Sequence, residues 1–210
     1  MRIVIIIVTY NGMKWLPKCL EAASNQSLLA DLFIVDNNST DGTPEYIRKT
    51  FPAANLIESK QNLGFGRANN LGIRYGLKHD NDYLFLLNQD AYLQADTIES
   101  LIQVQQLNPN FGILSPMQFN GKGNDLDHKF RLVFESSKNC KLHKAALIPP
   151  GKDFELYSVE FVMAAMWLMS IDCVRKVGEF DDIFDHYGED NDYLNRAKYH
   201  GFEAGIVKGS

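Results

Sequence analysis

The sequence of 210 residues predicts an α/β domain built on a mostly parallel, doubly wound sheet. Three observations carry this. Short aliphatic runs alternate with segments of helical period, several of the runs end abruptly in polar clusters, and the chain is long enough to bury a sizeable core in one domain. The run Ile3–Val8 is continuously aliphatic, as expected of a central strand covered on both faces. Met13–Ala23 then carries Trp15, Leu16, Cys19, Leu20 and Ala23 at helical spacing, with Trp15 expected in the core. Leu32–Val35 is the second strand, and the helix after it starts near Pro44, a residue suited to a first helical turn. Leu56–Glu58 is a weak third strand, followed by a glycine-rich loop and helix in "NLGFGRANNLGIRYGLK". Tyr83–Leu87 is the fourth strand and Asp96–Gln106 the helix behind it. Such regular alternation is the signature of parallel crossover units.

Phe111–Ser115 reads as a further strand, after which the pattern loosens. Residues 120–155 hold glycines, "PPG" and scattered charge without sustained period, so a long loop is expected. Order returns with Val159–Ile171, where Trp167 fits either internal packing or a wall beside a ligand. Asp190–Tyr199 is expected as a helix stopped by Gly201, and Glu203–Val207 as a last strand. No closing helix follows, and a further segment beyond Ser210 is expected.

The net charge of -5, from 21 basic and 26 acidic residues without a basic block, argues against a nucleic-acid partner. Cys19, Cys140 and Cys173 form no C-x-x-C pair, which argues against a disulfide framework or clustered zinc and fits a reducing cytosol. Arg2 and the apolar run after it superficially resemble a secretory signal, but the run is short and leads into "TYNG" instead of a cleavage site. Neither that run nor Phe161–Met169 approaches the roughly 20 residues that span a bilayer. The protein is expected in the cytoplasm, with peripheral attachment to the inner face of the cytoplasmic membrane left open.

Polar clusters recur where strands end: Thr9, Tyr10 and Asn11 after the first, Asp36 to Asn38 after the second, Asn88 to Asp90 after the fourth. In a parallel sheet those ends share one edge, so the clusters converge on one crevice. Turn and cap chemistry accounts for any one of them alone; in "DNNSTDGT", Asp41 or Thr43 is a plausible helix cap. "NLGFGRANN" does not match G-x-G-x-x-G and follows the third strand, so it is no dinucleotide fingerprint. The five histidines, His79, His128, His143, His186 and His200, are scattered and read as surface or packing residues, and Lys141 with Lys144 reads as a solvated face.

Taken together, "IVTYNG", "IVDNNSTDGT", "NLGFGRANNLGI", "LLNQDAYL" and "FDHYGEDNDYLNRAKYHGFE" resemble the family 2 glycosyltransferases, inverting enzymes of the GT-A nucleotide-diphospho-sugar fold. The set is most similar to the rhamnosyltransferase-type branch that builds bacterial polysaccharides. The resemblance spans nearly the whole chain. It implies one GT-A domain over residues 1–210, with 1–118 as the nucleotide-binding half and 119–210 as the acceptor and catalytic half.

It also implies roles. Thr9, Tyr10 and Asn11 match the loop that holds the base, with Tyr10 offering a stacking face. Asp36 matches the carboxylate that accepts from the imide N–H of uracil or thymine, with Asn38 in the same loop. Gly64, Asn69 and Asn70 match the loop and helix start beside the nucleotide. Asp90 matches the metal-binding Asp of D-x-D, here "NQD", with Gln89 in place of an acidic residue that contacts ribose or supports the metal. Glu189 and Asp190 match the catalytic "ED" pair, Asp190 being the base. The expected cofactor is Mg²⁺ or Mn²⁺, the donor a UDP- or dTDP-sugar, and the acceptor a glycan or lipid-linked glycan. For Asp190, the helix start should favour the ionised carboxylate. Two competing functions remain at this level. A nucleotidyltransferase that makes nucleotide sugars would open with a glycine run that "VTYNGMKW" lacks, and a non-catalytic nucleotide-sugar-binding module is favoured by "NQD".

Overall fold

Ile3–Thr9 forms strand β1, buried on both faces. Alternate residues sort to opposite sides, as the two-residue period of a strand requires. Ile3, Ile5 and Ile7 enter one core, while Val4 and Ile6 enter the other. The structure, a computed structural model, describes residues 1–135, the backbone of 140–143, and residues 153–184 and 187–210.

Chain order continues through α1 (Leu16–Ser24), β2 (Asp31–Asp36), α2 (Thr43–Thr50), β3 (Asn55–Glu58), α3 (Gly64–Lys78), β4 (Tyr83–Asn88), α4 (Thr97–Leu107) and β5 (Phe111–Pro116). Then come α5 (His128–Phe134), β6 (Cys140–His143), β7 (Glu155–Val159), β8 (Met166–Ser170), α6 (Ile171–Val177), α7 (Glu189–Tyr199) and β9 (Glu203–Lys208). The strands form one sheet in the order β3-β2-β1-β4-β8-β5-β9-β7-β6. β3, β2, β1, β4, β5, β9 and β6 share one direction, whereas β8 and β7 oppose them. The mostly parallel α/β architecture is the one the sequence predicts.

Helices α1, α2 and α4 cover one face through Leu16, Leu20, Ile47 and Leu101. Helices α3, α5, α6 and α7 cover the other through Ile73, Phe130, Val174 and Tyr193. Helix α3 lies unusually close to the sheet because glycines face it: a Cβ at Gly72 would stand 2.5 Å from the Ile6 side chain, and one at Gly76 would strike Leu84. Gly72→Ala is therefore expected to destabilise the fold by about 1–3 kcal/mol through overpacking, more than the roughly 1 kcal/mol by which Ala favours a helix over Gly. A lowered urea midpoint at unchanged slope would bear this out, and an unchanged or raised midpoint would refute it.

Two expectations need correction, and one open alternative is decided. The long loop over 120–155 contains α5, β6 and the first residue of β7. A helix of 7 residues is too short to display a sustained period, and its start is set by Asp127, whose Oδ1 accepts from the N–H groups of Lys129 (2.9 Å) and Phe130 (3.0 Å). Trp15 is half-buried at the N-cap of α1, with the Lys14 ammonium 4.9 Å from its ring. Trp167 is fully buried, stacked on Phe180 and tilted against Tyr193, so it is core and not a ligand wall. The side chains of Cys140, Lys141 and His143, and the whole of Lys144, His186 and the "PPG", lie outside the described residues.

Candidate active site

β1, β2 and β4 end at the same sheet edge, and β8, running the other way, begins there: the Asn88 N–H donates to the Ala165 carbonyl at 2.9 Å. The loops at this edge are laced together. Thr9 Oγ1 (2.7 Å) and the Tyr10 N–H (3.0 Å) both donate to Gln89 Oε1, while Gln89 Nε2 donates to the Tyr10 carbonyl at 3.3 Å. Gly12 makes room for this clamp, since a Cβ there would lie 2.5 Å from Gln89 Oε1. Counted along D-x-D, Asn88 takes the first place and Gln89 the middle one. The Gln89 amide thus ties the "NQD" turn to the Thr9–Tyr10 turn.

Asn11 is likewise a loop brace. It adopts φ 46°. Its N–H donates to Ser39 Oγ (2.8 Å), and its Oδ1 accepts from the Thr40 N–H (2.9 Å). The Gly12 N–H reaches Thr43 Oγ1, and the Met13 N–H reaches Asp41 Oδ2, both at 3.0 Å. Asp41 Oδ1 takes the Thr43 hydroxyl at 2.6 Å. Desolvation, the largest single influence, opposes these bonds, yet together the Thr43 hydroxyl and the N–H groups of Met13, Thr43 and Asp41 itself hold the Asp41 carboxyl below the usual range. Asn38 is exposed at φ 67°, in the left-handed turn conformation that Asn tolerates. These two asparagines follow turn chemistry, the blander of the two readings the sequence allows. Tyr10 is exposed, leaving its ring face open.

Asp36, the last residue of β2, is 1% exposed. Its Oδ2 accepts from the Ser39 N–H at 2.9 Å, while its Oδ1 is buried without a partner. Next to it, Asn37 is a residue that sequence reasoning passed over. Its Nδ2 donates to the Gly64 carbonyl (3.1 Å) and its Oδ1 accepts from the Leu63 N–H (3.3 Å), tying this loop to the first turn of α3. Gly64 is needed there for its φ of 77°. Asn69 and Asn70 are buried, and their amides point to internal partners: Asn69 Nδ2 to the Phe65 carbonyl, and Asn70 to Phe180 and Asp182. Both amides are thus engaged inside the protein.

Glu189 and Asp190 open α7, after Gly188 at φ 100°. Glu189 is 8% exposed and its Oε2 has no partner. A Cβ at Gly66 would lie 3.9 Å from the Glu189 Cβ, so the first turn of α3 packs beside the start of α7. Asp36 and Glu189 are the two buried carboxylates among the described residues, each carries one unsatisfied oxygen, and both adjoin the start of α3. An orphaned buried acceptor costs about 1–3 kcal/mol or more if charged, a penalty tolerated where a ligand supplies the donor. Asp190 is half-buried. Desolvation pushes its carboxyl above the ordinary range, partly offset by the N–H groups of Asn191, Ala164 and its own residue. This reverses the expectation that the helix start dominates: burial outweighs the local N–H groups. The nearness of Ala164 places Asp190 beside the start of β8, next to Asn88 and the "NQD" turn.

Asp90 is exposed on that turn and has no hydrogen-bond or ion-pair partner among the described residues. After burial, its charge is the further cause that lifts the Cys19 thiol to about 12. Among the described residues no group of three or more His, Cys, Asp or Glu is arranged to hold a metal. Such a lone carboxylate fits a cation that draws its other ligands from substrate phosphates and water, as Mg²⁺ commonly does. Cys173, also pushed to about 12 by burial, is an inert core thiol. The His79 ring lies tilted against Tyr75, His200 meets Tyr199 edge-on, and His128 is exposed.

This strand order, with β8 antiparallel between β4 and β5 and polar loops converging on one edge, defines a GT-A type fold. S. aureus TarS superposes on the chain with a TM-score of 0.71 at 14% identity, over 100% of this chain and 60% of that one. The mannosyltransferase PcManGT from Pyrobaculum calidifontis, solved with GDP-Man and Mn²⁺, does so at 0.69 and 19%, over 99% and 56%. The chain belongs to glycosyl transferase family 2, whose family model matches residues 4–177. The low-salt glycan biosynthesis hexosyltransferase Agl10 of Haloferax volcanii is 24% identical over 96% of this chain and 63% of its own length. The N-acetylglucosaminyl-diphospho-decaprenol L-rhamnosyltransferase of Mycobacterium tuberculosis is 27% identical over 54% of this chain and 40% of its own. The chain thus spans less than two thirds of these relatives.

Proposed function

We propose that the chain is the donor-binding and catalytic part of an inverting glycosyltransferase that passes a sugar from a UDP- or dTDP-sugar to a hydroxyl of a glycan or lipid-linked glycan. The observation that carries this is the pair of buried carboxylates with unsatisfied oxygens, Asp36 and Glu189, at the edge where Asp90 and Asp190 also lie. Asp36 Oδ1 accepts from the ring N–H of uracil or thymine, a donor that neutral cytosine and adenine rings lack within a nucleotide. The exposed Tyr10 ring offers the base a stacking face.

Asp190 takes the proton of the acceptor hydroxyl as the oxygen attacks the anomeric carbon. The bond from that carbon to the diphosphate breaks, its electron pair leaves with the nucleotide, and one displacement inverts the centre. A carboxyl raised by burial is a better base than an ordinary one, and such catalysis contributes about 10²–10⁴-fold. Glu189 Oε2, its neighbour, accepts from a substrate hydroxyl. Asp90 would hold Mg²⁺ or Mn²⁺, which when bound neutralises charge gathering on the diphosphate.

Relatives support these choices without deciding them. TarS has been solved with UDP and with UDP-GlcNAc, and PcManGT with Mn²⁺. The names of the mycobacterial rhamnosyltransferase and of an undecaprenyl-phosphate mannosyltransferase of Micrococcus luteus point to lipid-linked acceptors. Among the described residues no helix is long and apolar enough to cross a membrane. Work on a lipid-linked acceptor in polysaccharide assembly would bring the protein to the inner face of the cytoplasmic membrane as a peripheral partner. A non-catalytic nucleotide-sugar-binding module is the second reading, favoured by the single carboxylate of "NQD", and turnover by the wild type decides against it.

The test is thermal unfolding with a panel of UDP-, dTDP- and GDP-sugars, rhamnose and glucosamine derivatives included, with and without Mn²⁺. A ligand at 100 times its dissociation constant adds ~2.7 kcal/mol of stability. A true donor raises the midpoint, and a panel without effect refutes the proposal. Asp90→Asn is expected to abolish the metal-dependent part of donor binding and leave nucleoside binding intact. Donor affinity indifferent to both EDTA and this substitution would mean that Asp90 holds no metal.

A further inference from the structure

From Val177, the last residue of α6, the chain runs on through residues 178–182, and two helices, α3 and α7, hold this segment. From α3, Asn70 closes a pair of bonds with one residue: its Oδ1 accepts from the Phe180 N–H at 2.8 Å, and its Nδ2 donates to the Phe180 carbonyl at 2.9 Å. The same Nδ2 lies 3.3 Å from Asp182 Oδ1. Arg67 Nη2 donates to the Asp182 carbonyl at 3.1 Å, and Arg74 holds both oxygens of Glu179 at 2.8 and 2.6 Å. From α7, Tyr193 donates its hydroxyl to the Gly178 carbonyl at 2.9 Å, and Arg196 donates to the carbonyls of Val177 (2.8 Å) and Glu179 (2.9 Å). Phe180 itself is buried between Trp167, Tyr193 and Phe65, with its Cβ 3.3 Å from where a Cβ on Gly66 would stand.

The two helices carry the two ends of the site. The first turn of α3 is fastened to the Asp36 loop by Asn37, and the first turn of α7 bears Glu189 and Asp190. The segment between them therefore sets the distance from the nucleotide end to the base. We propose that Asn70 is a positioning residue for the transfer reaction, which through residues 177–182 holds Asp190 in line with a donor seated on Asp36. The proposal rests on the glycosyltransferase reading given above. Asn70 is suited to this because a buried amide with both ends paired to one residue fixes orientation as well as distance, and it cannot rotate without leaving buried partners unpaired.

Catalysis is sensitive to such placement, since a displacement of about 1 Å costs on the order of 10²-fold in rate. The test uses the full chain with the donor found by the panel, and measures donor affinity, KM and kcat for wild type, Asn70→Ala, Asn70→Asp and Arg196→Lys. Asn70→Asp keeps the acceptor for the Phe180 N–H, and Arg196→Lys keeps the charge beside Asp192 while losing the planar fork, so either serves if Asn70→Ala fails to fold. The expected result is a kcat lowered roughly 10- to 100-fold in Asn70→Ala, less in Asn70→Asp, with donor affinity within a few-fold of wild type. Arg196→Lys, acting on the same segment from α7, should lower kcat in the same selective way. Equal losses in kcat and donor affinity, or a folded Asn70 variant with wild-type kcat, would overturn the assignment alone. A wild type that binds donors yet transfers to no acceptor would bring down the enzymatic reading, and this proposal with it.

Discussion

Asp190→Asn is expected to lower sugar transfer by roughly 10²-fold or more while donor binding stays within a few-fold. The amide keeps the shape of the carboxylate but cannot take a proton, so the loss falls on the chemical step. The pH dependence adds a second signature. Burial raises the Asp190 carboxyl, and a base works only when ionised, so wild-type kcat/KM should fall as pH drops through a value above the ordinary carboxylate range. That acid limb should vanish in the variant. The effect on stability runs the other way. A carboxyl raised in the folded state favours folding while protonated and loses that advantage as pH rises through its folded value, so at neutral pH the Asp190→Asn variant should be no less stable than the ionised wild type. Side-by-side calorimetry, transfer assays and thermal unfolding check all three. Retained turnover would move the base elsewhere, with Glu189, its neighbour in the chain, the first candidate.

Asp36→Ala should weaken UDP or dTDP binding by roughly 10- to 100-fold, the equivalent of leaving one buried ring donor without its acceptor. Removing Asp36 also frees the Ser39 N–H, so a structural contribution has to be separated from recognition. A panel of nucleotides does that. If Oδ1 reads a ring N–H, UDP should lose affinity while CDP, bound weakly from the start, changes little. Unchanged UDP affinity in isothermal calorimetry would remove Asp36 from the site.

Much of this protein was legible in its sequence because long-range order here is written in local pattern. Ile3–Val8 must be a two-sided strand, since six successive aliphatic residues leave no polar face to turn to water, and the polar residues at Thr9, Asp36 and Asp90 had to lie at the edge where parallel strands end. The short helix after Asp127 stayed hidden because 7 residues carry too little period, and the burial of Trp167 stayed open because a lone Trp fits a wall as well as a core. The internal bonds of Asn11, Asn69, Asn70 and Gln89 were not legible, for a shared reason. An amide side chain pairs with a backbone group as readily as with a ligand, and which partner it meets depends on segments far away in sequence, such as Phe180, 110 positions beyond Asn70.

Composition and spacing belong to the chain itself, and they were enough to establish the alternation of strands and helices, the family resemblance, and the set of carboxylates from which a site would be built. Folding in three dimensions settled the rest: which of those carboxylates are buried with an oxygen to spare, whether desolvation outweighs neighbouring N–H groups at Asp190, and which asparagines brace the crevice. Burial and hydrogen-bond satisfaction are sums over neighbours brought together by the sheet, and no local stretch of sequence contains them.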